Sequence, residues 1–364
     1  MSSALRDSLR GFLERFPPSN SQTRLVDAIQ EWSETDEWQS AIMRLSPADQ
    51  VAALLALGSE AFESDLGSLR TNLAFNTRSV GQYVPPSAQA QWLEQHAQFL
   101  FVSLLDPVVL LDDSRRLATL ARAELIGAER VAAAADRGRG VLLVSCHQSH
   151  SGFFLRHPRF SDHSVTAVSH DITDANRGDR RNWAAYGDRV EFAPTSAAGA
   201  RRMLARLKSK GFVAVYNDFR FPESAGIPSV LFGRPIFGSK SLVNFILRTR
   251  ACVLPFAVVR LPPFEDETVR IEILPELPFD DLGDTQRDSV IAAMRLGVAT
   301  ECLIRRYPLQ WRLWTSLEYR WNEGCTAWSQ LGEVLASETG SSERPALENP
   351  DAEETPAATR AFVG

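Results

Sequence analysis

The chain has 364 residues, 44% of them hydrophobic and 23% charged, with a formal net charge of -6. That length allows about two domains of roughly 150 residues, or one large domain with an appendage. An acidic balance excludes a general nucleic-acid binder, which needs a basic surface. Four cysteines, Cys146, Cys252, Cys302 and Cys325, make no disulfide framework in a chain this long and fit a reducing cytoplasm. The longest charge-poor run, 99–111, is broken by Asp106 and Pro107 and is shorter than the about 20 apolar residues a bilayer requires.

Residues 1–63 read as a helical extension, with Val26, Ile29 and Trp32, then Val51, Leu54, Leu55 and Leu57, at helical spacing. Ser46 and Pro47 form an N-cap and first-turn pair. Residues 64–135, rich in Ala, Leu and Arg, are also expected to be helical. From 139 the texture changes. Short β-rich runs occur at 140–146, 212–216, 252–260 and 268–274, and the last alternates apolar and polar residues as an edge strand would. A helix over 197–210, stopped by Gly211, separates the first two runs, and another is expected over 284–306. The order implies an α/β domain over 64–330, a central mixed sheet flanked by helices. The polar, acidic segment 335–364 reads as a disordered tail.

Five of the six histidines, His147, His150, His157, His163 and His170, follow the first strand. Ligands of open α/β sheets bind beyond the carboxyl ends of strands. His147 projects from such an end, where an imidazole suits a general base; the alternative is a histidine that caps a turn. Ser149 and His150 lie in the same turn. The irregular histidine spacing, without HExxH or paired CxxC, gives no metal site, although a metal-dependent hydrolase is the class such a cluster would serve. Cys146, on a buried strand, is expected to be inert. Asn217-Asp218-Phe219-Arg220 places polar residues at a second strand end, either as site residues or as an Asx turn with a solvated ion pair. The run 228–233, with Phe232, and the turn to Lys240 suit either an acyl pocket or core packing. Trp311, Trp314, Arg320 and Trp321 read as a packed helix end with cation–π contacts. Arg177, Arg180 and Arg181 form a basic patch, either a solvated helix face or a phosphate contact.

These segments in this order resemble the bacterial lipid A biosynthesis lauroyl/myristoyl acyltransferases, a branch of the lysophospholipid acyltransferase superfamily. The similarity runs from about residue 64 to 323. It rests on Arg70-Thr-Asn-Leu73, 140–147, 210–218, 228–233, 251–255, Pro308-Leu-Gln-Trp311 and Arg320-Trp321. The resemblance implies acyl transfer from an acyl carrier protein or coenzyme A thioester to a hydroxyl or amine, with no cofactor beyond that co-substrate. It makes His147 the base and Asp218 its support or an acceptor-positioning group. Asn217, Arg220, Ser149, His150 and Phe232 become substrate contacts. The family motif is H-x4-[DE], yet five residues beyond His147 stands Gly152, and beyond His150 stands Leu155. Three explanations follow. Another carboxylate, Asp218, Glu223 or Asp171, substitutes; the acceptor is an amine or hydroxylamine that needs less base power; or the chain is a non-catalytic member with a binding role. An aminoacyl-tRNA donor is a variant in which the Arg177 patch meets phosphates. The polar extension, where the lipid A enzymes usually carry an anchoring helix, points to a soluble acceptor such as an intermediate of specialised metabolism. It also points to a cytoplasmic protein, with peripheral contact to the inner membrane left open.

Overall fold

The computed structural model describes residues 3–15, most of 29–78, 89–169 apart from 150 and 161, 189–261 apart from 220, and most of 264–329. The first half is helical. It contains α1 (Ser3–Arg15), α2 (Asp36–Ile42), α3 (Pro47–Glu63), α4 (Leu69–Arg78), α5 (Gln89–Val102), α6 (Leu105–Leu111), α7 (Asp113–Arg122) and α8 (Glu129–Asp136). Helix α3 starts as its sequence demands: the Ser46 hydroxyl accepts from Asp49 N–H, and Pro47 occupies the first turn, where it forfeits no hydrogen bond. Helices α3 and α5 pack at close range because Gly58 lacks a Cβ; one added there would stand 2.6 Å from Gln98 Cα.

The described strands are β1 (Glu124–Ile126), β2 (Val141–Ser145), β3 (Val165–Ser169), β4 (Val190–Pro194), β5 (Phe212–Tyr216), β6 (Gly226–Leu231), β7 (Arg234–Ser239), β8 (Cys252–Arg260) and β9 (Val269–Ile273). Seven form one sheet in the order β1-β9-β8-β2-β5-β3-β4, and β6 and β7 form a separate antiparallel hairpin. All pairings in the large sheet are parallel except β8 with β9. The sheet is therefore mixed, as expected.

Strand β2 is buried along its whole length, which explains its unbroken apolar run. Val141 and Leu143 face one core, shared with Leu5, Leu9, Trp38 and Leu54 of the N-terminal helices. Leu142 and Val144 face another, shared with α11 (Lys240–Thr249) and α12 (Gln286–Arg306), introduced after α9 (Gly152–Leu155) and α10 (Ala197–Lys208). Alternation along one strand thus glues helices to both faces. The helical segment before residue 63 shares its core with the sheet.

Several local expectations are corrected. The stretch 64–135 is not wholly helical: β1 interrupts it, paired along β9. Strands β3 and β4 lie between the first two expected strands, where no strand is expected, and the run 228–240 is the β6–β7 hairpin followed by the start of α11. Helix α10 ends at Lys208, and the left-handed residue after it is Lys210, at φ 63°, rather than Gly211. Gly211 answers a different need, since a Cβ there would meet Arg206 Cδ at 2.4 Å.

Candidate active site

Strands β2 and β5 are adjacent and parallel at the centre of the sheet, so their carboxyl ends lie side by side on one edge. Ligands of open α/β sheets bind beyond such ends. In the β2–β5 register Ser145 pairs with Tyr216, and Asn217 N–H donates to Ser145 O at 2.8 Å. His147 and Asp218 each stand two residues beyond that last rung, so the ladder itself brings them to one crevice.

There they pair. His147 Nδ1 lies 2.7 Å from Asp218 Oδ1, and His147 backbone N–H donates to Asp218 Oδ2 at 2.7 Å. Trp311 Nε1–H donates to the same Oδ2 at 2.8 Å. The Arg320 guanidinium donates to the Asp218 carbonyl, and Arg312 N–H donates to the His147 carbonyl at 2.8 Å. The Asp218 side chain has no exposed surface, whereas the imidazole keeps 23%. Burial opposes charge on Asp218, but the His147 ring, its hydrogen bonds and the Arg320 guanidinium outweigh it. The carboxyl is held below its ordinary range. An ionised Asp218 only accepts, so His147 carries its proton on Nδ1 and presents the Nε2 lone pair.

Two rings hold the imidazole plane. Tyr216 stacks on it with centroids 4.3 Å apart and 24° between planes, and Phe219 meets it edge-on at 4.7 Å. Tyr216 Oη accepts from Ser151 N–H at 3.3 Å. Burial raises the phenol's pKa, which keeps it protonated.

Gly152, five residues beyond His147, begins α9 and is buried. Asp218, from the next strand, supplies the carboxylate beside the imidazole. Glu223 lies exposed on the turn Glu223–Ala225. Asp171, His150, His170, Arg177, Arg180, Arg181, Arg220, Cys325 and the tail 335–364 lie outside the described residues. Ser149 is buried against β8: its N–H donates to Val258 O and its hydroxyl accepts from Arg260 N–H at 3.1 Å. Asn217 donates to Thr300 Oγ1 at 2.9 Å and Leu296 O at 3.3 Å on α12 and lines the pocket there beside Asp218. Phe232 occupies the β6–β7 turn at φ 54°, its N–H on Glu301 Oε2 at 2.6 Å and its ring stacked on Trp314. A pocket between this hairpin and α12 reaches Asp218, lined among others by Phe219, Leu231, Ile236, Gly238 and Arg320.

Two other described histidines serve elsewhere. His157 Nδ1 accepts from Arg159 N–H at 3.2 Å, and His163 stacks on Phe212. Among the described residues no group of three or more His, Cys, Asp or Glu stands where it could hold a metal ion. Burial, with Asp218 nearby, pushes the Cys146 thiol well above its usual range. Tyr216, Trp311 and Arg320 are the site neighbours that sequence reasoning did not assign to the dyad. Trp311 and Arg320 were visible as members of an aromatic cluster and of the closing segments of the resemblance, and Tyr216 as the last residue of a strand within another of its segments.

No described helix is long and apolar enough to cross a membrane. No curated protein matches the chain. The family model for bacterial lipid A biosynthesis acyltransferase matches residues 108–322, more than half of the 364 and a span that holds β2, β5, the dyad and Trp311. A histidine–carboxylate pair at a sheet crevice, carried on that matched span, is the setting in which the chain belongs to the bacterial lipid A biosynthesis acyltransferase family.

Proposed function

We propose that the protein transfers an acyl group from a thioester, borne by an acyl carrier protein or coenzyme A, to a hydroxyl or amine acceptor. His147 is the base and Asp218 its orienting partner. The observation that carries this reading is the 2.7 Å Nδ1–carboxylate contact at the β2–β5 crevice. With Nδ1–H engaged by Asp218, Nε2 removes the acceptor's proton as its oxygen or nitrogen attacks the thioester carbonyl. The tetrahedral adduct collapses by breaking the C–S bond, and the thiolate leaves with the proton held on Nε2, which resets the imidazole. The enzyme needs no covalent intermediate, in keeping with a Cys146 thiol that is buried and hard to ionise. Asp218 also stabilises the imidazolium as it forms.

The acyl group is read as entering at the pocket beside Asp218, which the β6–β7 hairpin walls. Leu231, Ile236 and Phe219 give that wall the apolar lining an acyl group would meet. The acceptor is a soluble amine or hydroxyl compound of specialised metabolism, and the protein works in the cytoplasm. No cofactor joins the donor.

The test is acceptor-dependent release of free thiol from a panel of acyl thioesters, with the acylated product identified by mass spectrometry. Wild-type protein releases thiol with at least one donor and acceptor pair. Turnover no higher than a heat-killed control across amines, hydroxylamines and alcohols rejects the reading.

A further inference from the structure

We propose that Trp311 is a positioning residue for acyl transfer, acting through Asp218 on His147. The inference rests on His147 as base and adds a third member to the pair.

A carboxylate turns readily about its last torsion, which has broad and roughly two-fold minima. Asp218 Oδ1 must stay on the imidazole for Nε2 to keep its lone pair, so Oδ2 has to be held. Two donors hold it: the backbone N–H of His147 at 2.7 Å and the indole N–H of Trp311 at 2.8 Å. The first belongs to the residue being oriented. Trp311 alone ties the carboxylate to an independent element, the segment after α12.

That segment is well braced. Trp311 is fully buried, with its indole edge-on to Trp314 at 4.9 Å and to Phe232 at 6.2 Å. Trp314 Nε1–H donates to Pro308 O at 2.6 Å, and the next backbone N–H after Trp311 reaches the His147 carbonyl. The indole nitrogen therefore has one direction available, toward Oδ2. A buried indole N–H requires an acceptor, and a buried carboxylate oxygen requires donors. The bond satisfies both while drawing charge from the carboxylate, which restrains its pull on the imidazole proton.

The charged and titratable groups facing this pair among the described residues are Tyr216, Arg320, Arg312 and Cys146. None is altered by Trp311→Phe, which removes the N–H and keeps an aromatic ring. Two effects follow. With one donor lost, Asp218 holds the His147 proton more tightly. At the same time kcat falls about 10–100-fold with KM unchanged, the effect of one hydrogen bond to a charged group in the transition state.

The experiment is 15N-histidine NMR titration of the full chain, with His147 assigned by its disappearance in His147→Gln, on wild type and Trp311→Phe. Benzothienylalanine at position 311 keeps the bicyclic shape and exchanges the N–H for sulfur; it gives the same reading where the smaller phenyl ring leaves the protein unfolded. A raised His147 midpoint is the expected result. An unmoved midpoint in a folded variant shows that Trp311 only packs, and overturns the proposal. A cycle with Asp218→Ala, which leaves the indole nothing to hold, adds a second reading: in that background Trp311→Phe has little further effect on kcat, whereas additive losses contradict coupling through the carboxylate. The NMR reading needs no turnover. Absence of activity in wild type counts against acyl transfer, and an unmoved midpoint counts against Trp311.

Discussion

Asp218→Asn is the sharpest perturbation of the pair, because the structure dictates which way the new amide must face. Two N–H donors, from His147 N and Trp311 Nε1, converge on Oδ2. An asparagine keeps its carbonyl oxygen there, since turning the NH2 toward them would set donor against donor. The NH2 group then occupies the Oδ1 position, 2.7 Å from His147 Nδ1. Nδ1 becomes the acceptor, the ring hydrogen moves to Nε2, and the lone pair that takes the acceptor's proton is lost. Wrong-tautomer histidines in hydrolase triads lose about 10³–10⁴ in kcat, and we expect the same here, equivalent to about 4–5 kcal/mol of barrier. Fold and donor affinity change little, because the substitution is isosteric and the donors on Oδ2 stay paired. The assay is initial-rate thiol release at saturating donor, with 15N-histidine NMR on the same samples to read the tautomer. A variant within tenfold of wild type, or one whose His147 still carries its hydrogen on Nδ1, refutes this reasoning.

Three further predictions concern the scaffold. Arg260 and Asp106 form a buried pair at 2.6 Å with side chains 0% and 2% exposed; Asp106→Ala strands the guanidinium and lowers unfolding free energy by about 3–5 kcal/mol in urea titrations, and a loss under 1 kcal/mol denies the pair that importance. Gly58→Ala drives a methyl into Gln98 Cα across the α3–α5 contact and costs about 1–3 kcal/mol by the same measurement. Gly11→Ala in α1, where an added Cβ meets nothing within 4 Å outside its own helix, is instead neutral or stabilising, and an equal loss at both sites would contradict the packing argument. His96 is fully buried, its Nδ1 on Leu309 O at 2.7 Å, and burial lowers its pKa from 6.5 to about 4. The native state thus resists a proton that the unfolded chain accepts. Its contribution is present above pH 6.5 and drains away as pH falls toward 4, a loss of about 3 kcal/mol. Urea melts at pH 7 and 4.5 compared with His96→Leu measure it, and parallel acid losses in the two proteins contradict the assignment.

The central strands were legible because burial on both faces writes unbroken apolar runs, as in 141–145 and 252–260. His147 and Asp218 were legible as polar residues at strand ends. Their pairing was legible only as one option beside Glu223 and Asp171, since nothing local states that Ser145 and Tyr216 share a rung. The count of five that ends at Gly152 looks along the chain, while the carboxylate arrives across the sheet, 71 residues away. Trp311 is 93 residues from Asp218, and its indole bond depends on how the segment after α12 packs. Strands β3 and β4 escaped notice because Val165-Thr-Ala-Val-Ser169 and Val190-Glu-Phe-Ala-Pro194 are short and mixed, and pairing rather than propensity makes them strands. At β1, three residues extend only because β9 offers them an edge.

Single-turnover acyl transfer by His147→Ala, run with the donor and acceptor that wild type uses, bears most directly on the imidazole as base. The account predicts a rate at least about 10³-fold lower, with donor affinity and melting temperature close to wild type. Transfer within tenfold of wild type by a folded His147→Ala protein would contradict it.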